Sequence, residues 1–235
     1  MLKSRLLIVA VLTAVSAVGA TQATARTIQF SGETWVVKAS NAKVGPGPNY
    51  FSDSPDNVWV DAEGRLHLKI TRRKGKWWTS EVIGARSLGH GTYTWNLASR
   101  LDTIDPNAVL GLFTWSNTAG FANREIDIEF SRWGNPLAAT NAQYVVQPYD
   151  APGHLRPFLQ PASPSSQHGF TWAPGSVAFT SSTGSVPTWT YTGADVPPAG
   201  DETPRMNLWL PGGRPPTDGR PVEVVVRSFT FTPLP

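Results

Sequence analysis

The chain has 235 residues, with 20 Lys and Arg against 17 Asp and Glu, and it contains no cysteine. This near balance of charge excludes a protein-wide basic field for nucleic acid, and the lack of cysteine excludes disulfides and thiol chemistry. A single domain of this length can bury a sizeable hydrophobic core, and that core has to stabilise the fold without disulfides.

The N-terminal segment has the pattern of a secretory signal peptide. Two cations precede an apolar run at 6–12, and small residues at 23–25 form a typical cleavage site. The apolar run is short for a membrane span. We therefore predict a signal peptide at 1–25, one mature domain at 26–235, secretion from the cell, and no membrane association after cleavage.

The remaining sequence predicts an all-β protein, built as a two-sheet antiparallel β-sandwich. Apolar and polar residues alternate with the period of a strand, 21 Gly and 21 Pro interrupt the alternation, and helical periodicity is nearly absent. Two segments without alternation, 150–169 and 210–221, are predicted to be long surface loops. The main predicted strand regions are 57–70, 91–97, 124–130, 141–149, 175–192 and 221–231.

The segment TRRKGKWW at 71–78 combines four cations with two tryptophans. We favour an exposed hairpin turn at Gly75, and a patch for nucleic acid or acidic polysaccharide is the alternative. Elsewhere, four tryptophans are assigned to the packing of the sandwich core. These are Trp35, Trp59, Trp172 and Trp189.

Metal and serine-hydrolase chemistry lack support in the sequence. The four histidines, at positions 67, 90, 154 and 168, do not have the spacing of metal ligands. No G-x-S-x-G pattern of a nucleophilic serine is present in the chain. We therefore predict that the protein uses no metal and no cofactor.

Three carboxylates alternate with apolar residues in REIDIEF, residues 124–130. On a strand, Glu125, Asp127 and Glu129 share one face, and the apolar residues between them line the other. The alternative is an ordinary strand whose acids face solvent. The two glutamate Cα atoms lie about 13 Å apart on an extended strand, and inward-leaning side chains can approach the roughly 5–5.5 Å carboxyl separation of a retaining glycosidase. Between them, the aspartate can hydrogen-bond the nucleophile and help to keep a neighbouring carboxyl protonated.

With that strand as the starting point, the chain resembles glycoside hydrolase family 16, the concanavalin-like jelly-roll enzymes that include lichenases and laminarinases. Each motif alone is weak, but they occur in the family's order over most of 50–233. They are NVWVDAEGRLHLKITR, GHGTYTWNLA, LGLFTW, EIDIEF, HGFTWAPGSVAFTSSTG and RMNLWLPGG.

The resemblance implies a jelly roll with a cleft on its concave face and assigns roles by position. Glu125 would be the nucleophile, Asp127 the assisting residue and Glu129 the acid/base. Aromatic rings stack on sugars and amides bind hydroxyls, so a second set is predicted to bind substrate. That set is Phe113, Trp115, Trp133, Gln143, Gln147, Asn207 and Trp209.

The sequence also departs from the family pattern. Asn123-Arg124 replaces the Trp-Asp that lichenase-like members carry before the motif, Thr94 replaces an acidic residue, and Arg227 stands where some members bind calcium. We therefore predict no calcium, and we include Arg124 among the substrate-binding residues as a cation that could favour a different or anionic glycan.

The function predicted from these residues is a secreted, endo-acting, retaining β-glycan hydrolase, monomeric, whose partner is a polysaccharide such as a β-glucan or galactan. One alternative is a transglycosylase that uses the same three acids. Another is a carbohydrate-binding lectin on the same sandwich, because a fold does not fix a function. A structural or adhesive surface protein is the third.

Overall fold

The computed structural model describes residues 25–235. The predicted signal peptide, except for its last residue, therefore lies outside the described residues. Within residues 25–235, the structure contains no helix with the length and apolar character needed to cross a membrane.

The described residues form strands joined by turns and by three short 3-10 segments, Leu101–Thr103, Gly120–Arg124 and Pro211–Gly213. The strands in chain order are β1 (Thr27–Phe30), β2 (Glu33–Val37), β3 (Ser40–Val44), β4 (Asn49–Phe51), β5 (Val58–Val60), β6 (Leu66–Arg73), β7 (Lys76–Gly84), β8 (Gly91–Leu97), β9 (Val109–Trp115), β10 (Ile126–Phe130), β11 (Ala142–Val146), β12 (Leu155–Phe158), β13 (Ser166–Ala173), β14 (Ser176–Ser181), β15 (Trp189–Tyr191), β16 (Thr203–Trp209) and β17 (Val222–Pro233).

Two antiparallel layers account for most of these strands. The front sheet has the order β1-β2-β7-β16-β9-β10-β11-β12. The back sheet has the order β5-β6-β17-β8-β13-β14-β15. The hairpin β6–β7 links the two layers, and β4 adds a short parallel pairing to β7. The two-sheet antiparallel sandwich predicted from the sequence is confirmed.

The core lies between the two layers. On β10, Ile126, Ile128 and Phe130 are fully buried, as the alternation in the sequence predicts. Aromatic rings join the sheets, with Tyr144 stacked on Phe179 at 4.7 Å between centroids. Burying side chains of this size stabilises the fold by about 1.5–3 kcal/mol each, so the inward face of β10 is fixed and its acidic face must point outward.

One predicted loop is wrong in part. Segment 150–169 contains strand β12 and the start of β13, whereas 210–221 holds only the turn Pro211–Gly213 before β17. The sequence does not predict strand β12 because it has only four residues and Pro157 interrupts their alternation of polar and apolar residues. It pairs with β11 at the end of the front sheet, where a proline is tolerated because its missing N–H faces no further strand.

The hairpin at Gly75 is confirmed, because Arg73 pairs with Lys76 and both turn residues have positive φ, 48° for Lys74 and 75° for Gly75. Trp77 and Trp78 do not line the cleft on the outward face of the front sheet. Of the four tryptophans assigned to the core, Trp35 and Trp172 are fully buried and Trp189 packs against the core.

The assignment of Trp59 to the core is wrong. Its ring is stacked on His67 at 4.4 Å, in the direct cross-strand pair between β5 and β6. His67 in turn contacts Asp61 and Glu223 on the outward face of the back sheet. The aromatic ring is therefore half-buried under charged neighbours rather than between the sheets.

Candidate active site

The three acids lie on the outward face of the front sheet, in the middle of its strands. Glu125 directly precedes β10, and Asp127 and Glu129 lie within it. Asp127 is paired with Phe113 on β9, and Glu129 is paired with Gly111. The period of a strand therefore carries all three carboxylates to one surface, as predicted.

That surface is the floor of a cleft of about 950 Å³. The cleft brings together the three acids and seven of the eight residues predicted to bind substrate. Its lining consists of Lys38, Gly45, Pro46, Glu81, Ile83, Gly111, Phe113, Trp115, Asn117, Glu125, Asp127, Glu129, Trp133, Gln143, Gln147, Tyr149, Leu155, Arg205, Asn207 and Trp209.

Two glutamines on the side of β11 hold two of the acids. The amide of Gln143 donates to Glu129 Oε2 at 2.8 Å, directly across the strand pair. The amide of Gln147 donates to Asp127 Oδ2 at 3.1 Å, and Asp127 is only 4 % exposed. The side chains of Asp127 and Glu129 are therefore oriented by hydrogen bonds before any ligand arrives.

The acids hold protons more strongly than free carboxylic acids do. Burial, and then the charge of Glu129, raise the pKa of Glu125 to about 8. Burial raises the pKa of Glu129 to about 7, against the hydrogen bond from Gln143. Burial and the charges of both glutamates hold the pKa of Asp127 well above its usual range. Like charges in one buried site cannot all ionise, so the cleft keeps protonated carboxyls near neutral pH.

A second charged group lines the same cleft on the opposite side. Glu81, 1 % exposed, pairs with Lys38 at 2.7 Å through Oε2 and with Arg205 at 3.3 Å through Oε1. Arg205 and Glu81 lie on the neighbouring strands β16 and β7. We call these three residues the basic wall, because they carry two cations and one carboxylate.

Aromatic side chains line the cleft on both sides of the acids. Trp133 and Trp209 meet edge to face, with ring centroids 6.0 Å apart. Phe113 and Trp115 lie on β9, and the ring centroid of Trp115 is 6.0 Å from the guanidinium carbon of Arg205. Phe113 is nearly buried, whereas the three tryptophans keep part of their surface exposed in the cleft, and such aromatic faces suit the apolar faces of sugar rings.

Asn207 occupies the floor because Gly111 leaves room for it. The two residues are paired across β9 and β16, and a Cβ on Gly111 would lie 2.5 Å from Asn207 Oδ1. That oxygen is buried and has no hydrogen-bond partner among the described residues. An acceptor left open in a cleft of polar and aromatic groups is suited to a ligand hydroxyl.

Arg124 does not belong to this cleft, which corrects the prediction for it. Its Nε donates to the Pro198 carbonyl at 3.1 Å, and its Nη1 pairs with Asp201 at 3.1 Å. Strand β10 begins only at Ile126, and residues 121–124 all have positive φ. The left-handed turn directs the guanidinium to the 198–201 segment, and the cations that line the cleft are Lys38 and Arg205 instead.

Sequence reasoning missed the basic wall. Lys38 and Glu81 lie far apart in the chain, and neither belongs to a recognisable motif. Arg205 stands in the quoted motif RMNLWLPGG, two residues before Asn207, so strand periodicity could have placed it on the same face. The two-residue spacing between Arg205 and Asn207 is therefore the signal from which Arg205 could have been predicted.

The histidines are dispersed in the structure. His67 contacts Asp61 and Glu223, and His154 contacts Tyr191 through Nε2 at 2.7 Å. Burial lowers the pKa of His168 to about 3, so it is neutral. Among residues 25–235, no three His, Asp or Glu side chains are grouped so as to hold a metal ion.

Comparison with known proteins supports the fold. No protein-family model matches the sequence, and no curated protein matches it. The solved structure of Bacillus licheniformis β-glucanase matches with a TM-score of 0.66 at 19% identity, covering 90% of this chain and 100% of that one. A lichenase from a mouse hindgut metagenome gives 0.66 at 19%, covering 88% and 96%.

A Mycobacterium tuberculosis protein, described as an immunostimulatory antigen and pseudo β-1,3-glucanase, gives a TM-score of 0.67 at 22% identity. The match covers 86% of this chain and 91% of that one. At these identities the likeness is one of fold. The chain has the jelly-roll fold of the β-glucanases, and the resemblance drawn from its motifs is confirmed at that level.

Proposed function

We propose that the protein is a secreted, endo-acting hydrolase of β-glycans that cleaves with retention of anomeric configuration. The observation that carries the proposal is the meeting of three proton-holding carboxylates, with Asp127 buried and both glutamates half-buried, with aromatic and amide side chains in one cleft of about 950 Å³. A cleft of this volume and composition fits several sugar units of a chain.

In the first step, Glu125 attacks the anomeric carbon while Glu129 gives its proton to the leaving oxygen. The glycosidic bond breaks and a glycosyl ester forms on Glu125. In the second step, Glu129 takes a proton from water, the water oxygen attacks the anomeric carbon, and Glu125 is released as a carboxylate.

These two reaction steps need one ionised and one protonated glutamate in the resting protein. The raised pKa values of both support such a state, because ionisation of one disfavours ionisation of the other. The positive charge of Arg205 favours the ionised form of Glu125. Burial and the charge of Glu129 outweigh this effect, so the pKa of Glu125, about 8, stays above that of Glu129, about 7. The assignment of Glu125 as the nucleophile follows from its position in the motif, and the hydrogen bond from Gln143 orients Glu129.

A non-catalytic carbohydrate-binding protein is the second candidate. The favouring observation is that one protein of the same fold is described as a pseudo β-1,3-glucanase. A transglycosylase would use the same two steps with a sugar hydroxyl in place of water, and analysis of products with an added oligosaccharide acceptor separates it from a hydrolase.

The test is a screen of the mature protein, residues 26–235, against β-1,3-, β-1,4- and mixed-linkage glucans, galactans and sulfated galactans. Binding and new reducing ends are measured together. We expect both with at least one glycan. Binding without new reducing ends or transfer products favours the carbohydrate-binding alternative, and neither binding nor cleavage contradicts the proposal.

A further inference from the structure

Arg205 is a buried cation with few partners. It is 8% exposed, yet its contacts to Glu81 and to Asn117 Oδ1 are long, at 3.3 and 3.4 Å. Its Nε is buried and has no hydrogen-bond partner among residues 25–235. A guanidinium has five N–H donors, and burying it with so few acceptors is costly unless something else supplies them.

Glu81 does not neutralise this charge. Its other oxygen is taken by Lys38 at 2.7 Å, which is the shorter of its two ion pairs. The basic wall therefore carries a net charge of +1. No described ion pair joins Arg205 to Glu125, Asp127 or Glu129. The charges of Arg205 and Glu125 still favour each other's ionised form, and Arg205 lines the cleft without a short ion pair to any of the three acids.

The position of Arg205 relative to the acids fits one sugar unit. Arg205 pairs with Phe113, and Phe113 pairs with Asp127, so Arg205 lies two strands, about 10 Å, from Asp127. A sugar ring over Phe113 would have the carboxylates on one side and the guanidinium on the other. A substituent on that ring is within reach of Arg205.

We propose that Arg205 forms a subsite for a negatively charged substituent on the glycan, either the carboxylate of a uronic acid or a sulfate ester. The planar guanidinium binds the paired oxygens of either group with two parallel hydrogen bonds. The subsite rests on the proposed glycan-binding function of this cleft and specifies the substrate class.

The test uses mixed-linkage β-glucan and β-galactan oligosaccharides in three forms: neutral, oxidised at primary hydroxyls to carboxylates, and partially sulfated. Affinities are measured by calorimetry in a Glu129→Gln background, which limits cleavage. We expect one charged form to bind about tenfold or more tightly than its neutral counterpart, the effect of charge-assisted hydrogen bonds. The form that does so distinguishes carboxylate from sulfate recognition.

Arg205→Met should abolish this preference, and Arg205→Lys should retain only part of it, because a lysine keeps the charge without the planar pair of donors. Arg227→Met, which removes an exposed cation from β17, should leave the preference unchanged. If Arg205→Met does not fold, the lysine variant alone still tests the dependence on guanidinium geometry.

The outcomes separate this inference from the proposed function. Cleavage of neutral glycans by the unmodified protein, with equal affinity for all forms or with a preference that survives in both Arg205 variants, overturns the subsite and leaves the hydrolase intact. An Arg205-dependent preference without cleavage supports the subsite and contradicts the hydrolase. Absence of binding by all forms overturns both.

Discussion

The two sheets both carry carboxylates on their outward faces, but in opposite electrostatic settings. On the back sheet, Asp61 pairs with Arg65 and His67, and Glu223 pairs with His67 and Lys69, all at 2.7–2.9 Å. We call these five residues the back-sheet cluster. On the front sheet, Glu125, Asp127 and Glu129 have no cation within ion-pair distance among the described residues.

The pKa values follow this difference. In the back-sheet cluster, burial opposes ionisation, but hydrogen bonds from His67 and Arg65 hold the pKa of Asp61 below its usual range. Burial likewise opposes ionisation of Glu223, and Lys69 and His67 lower its pKa. On the front sheet, burial is the largest effect, and it raises the pKa values of Glu125, Asp127 and Glu129. The two acids of the back-sheet cluster, with their matched cations, serve as surface structure, whereas acids left without cations inside a cleft are suited to proton transfer.

The largest expected effect comes from removing an acid of the cleft, and removal of an acid from the back-sheet cluster is the comparison. Glu125→Gln should lower kcat by about 10⁴-fold or more, the scale seen when a nucleophile is lost. Glu223→Gln makes the same chemical change in the back-sheet cluster and should leave kcat unaltered. Both are measured as reducing-end release at saturating glycan, with melting temperatures to confirm folding. Equal activity of the two variants would remove the functional distinction between the faces.

A smaller effect is expected from the floor of the cleft. Gly111→Ala places a methyl group against Asn207 Oδ1, so the amide must move out of position. We expect kcat/KM to fall by about 10- to 100-fold, since displacements near 1 Å in an active site have that scale. Gly184→Ala is the control, because a Cβ there meets no neighbouring atom within 4 Å. A normal kcat/KM for Gly111→Ala would show that Asn207 does not position substrate.

The aromatic residues offer a third comparison between the faces. Trp133 is 39% exposed in the cleft, whereas Trp59 is stacked on His67 over the back-sheet cluster. Trp133→Ala should weaken glycan binding by about 2- to 10-fold, the value of one aromatic stacking contact. Trp59→Ala should leave binding unchanged. Calorimetry in the Glu129→Gln background measures both affinities. Weaker binding by the Trp59 variant alone would show that the glycan binds the back sheet and would contradict the proposed cleft.

The mildest effect is on stability as a function of pH. Glu125 and Glu129 ionise near their ordinary pKa of about 4 when unfolded, but near 8 and 7, respectively, when folded. Between these values the folded chain holds more protons, so their contribution to stability is full at low pH and is lost as pH rises toward about 8. Asp61 and Glu223 act in the opposite direction, because their contribution is lost as pH falls.

The melting temperature should therefore decline between about pH 5 and 8, and the decline should be smaller in a Glu125→Gln, Glu129→Gln double variant. Scanning calorimetry across that range measures the slope for both proteins. Glu223→Gln serves as the control and should leave the slope over this interval unchanged. An equal slope in the double variant would contradict the raised pKa values.

The sequence predicts the acidic face well because one strand supplies it. The alternation from 125 to 130 determines which side chains point inward, and burial of Ile126, Ile128 and Phe130 leaves the acids no other direction. The motifs that predicted Asn207 and Trp209 lie on β16, which pairs directly with β9.

The basic wall could not be predicted in the same way, because it depends on contacts between segments that are distant in the sequence. Lys38 meets Glu81 across 43 positions and Arg205 meets Glu81 across 124, so neither contact leaves a local pattern. The error at Arg124 has a local cause, since four consecutive residues with positive φ end the strand geometry just before Glu125. Strand period cannot be extended through such a turn.

The most direct test of the central claim is to trap the glycosyl ester that Glu125 is proposed to form. The mature protein is incubated with a 2-deoxy-2-fluoro glycoside of a glycan identified in the screen, and peptides are analysed by mass spectrometry. We expect a single added glycosyl group on the peptide containing Glu125, and none in Glu125→Gln. Cleavage of that glycan with the label on another residue, or with inversion at the anomeric carbon and no label, would contradict it.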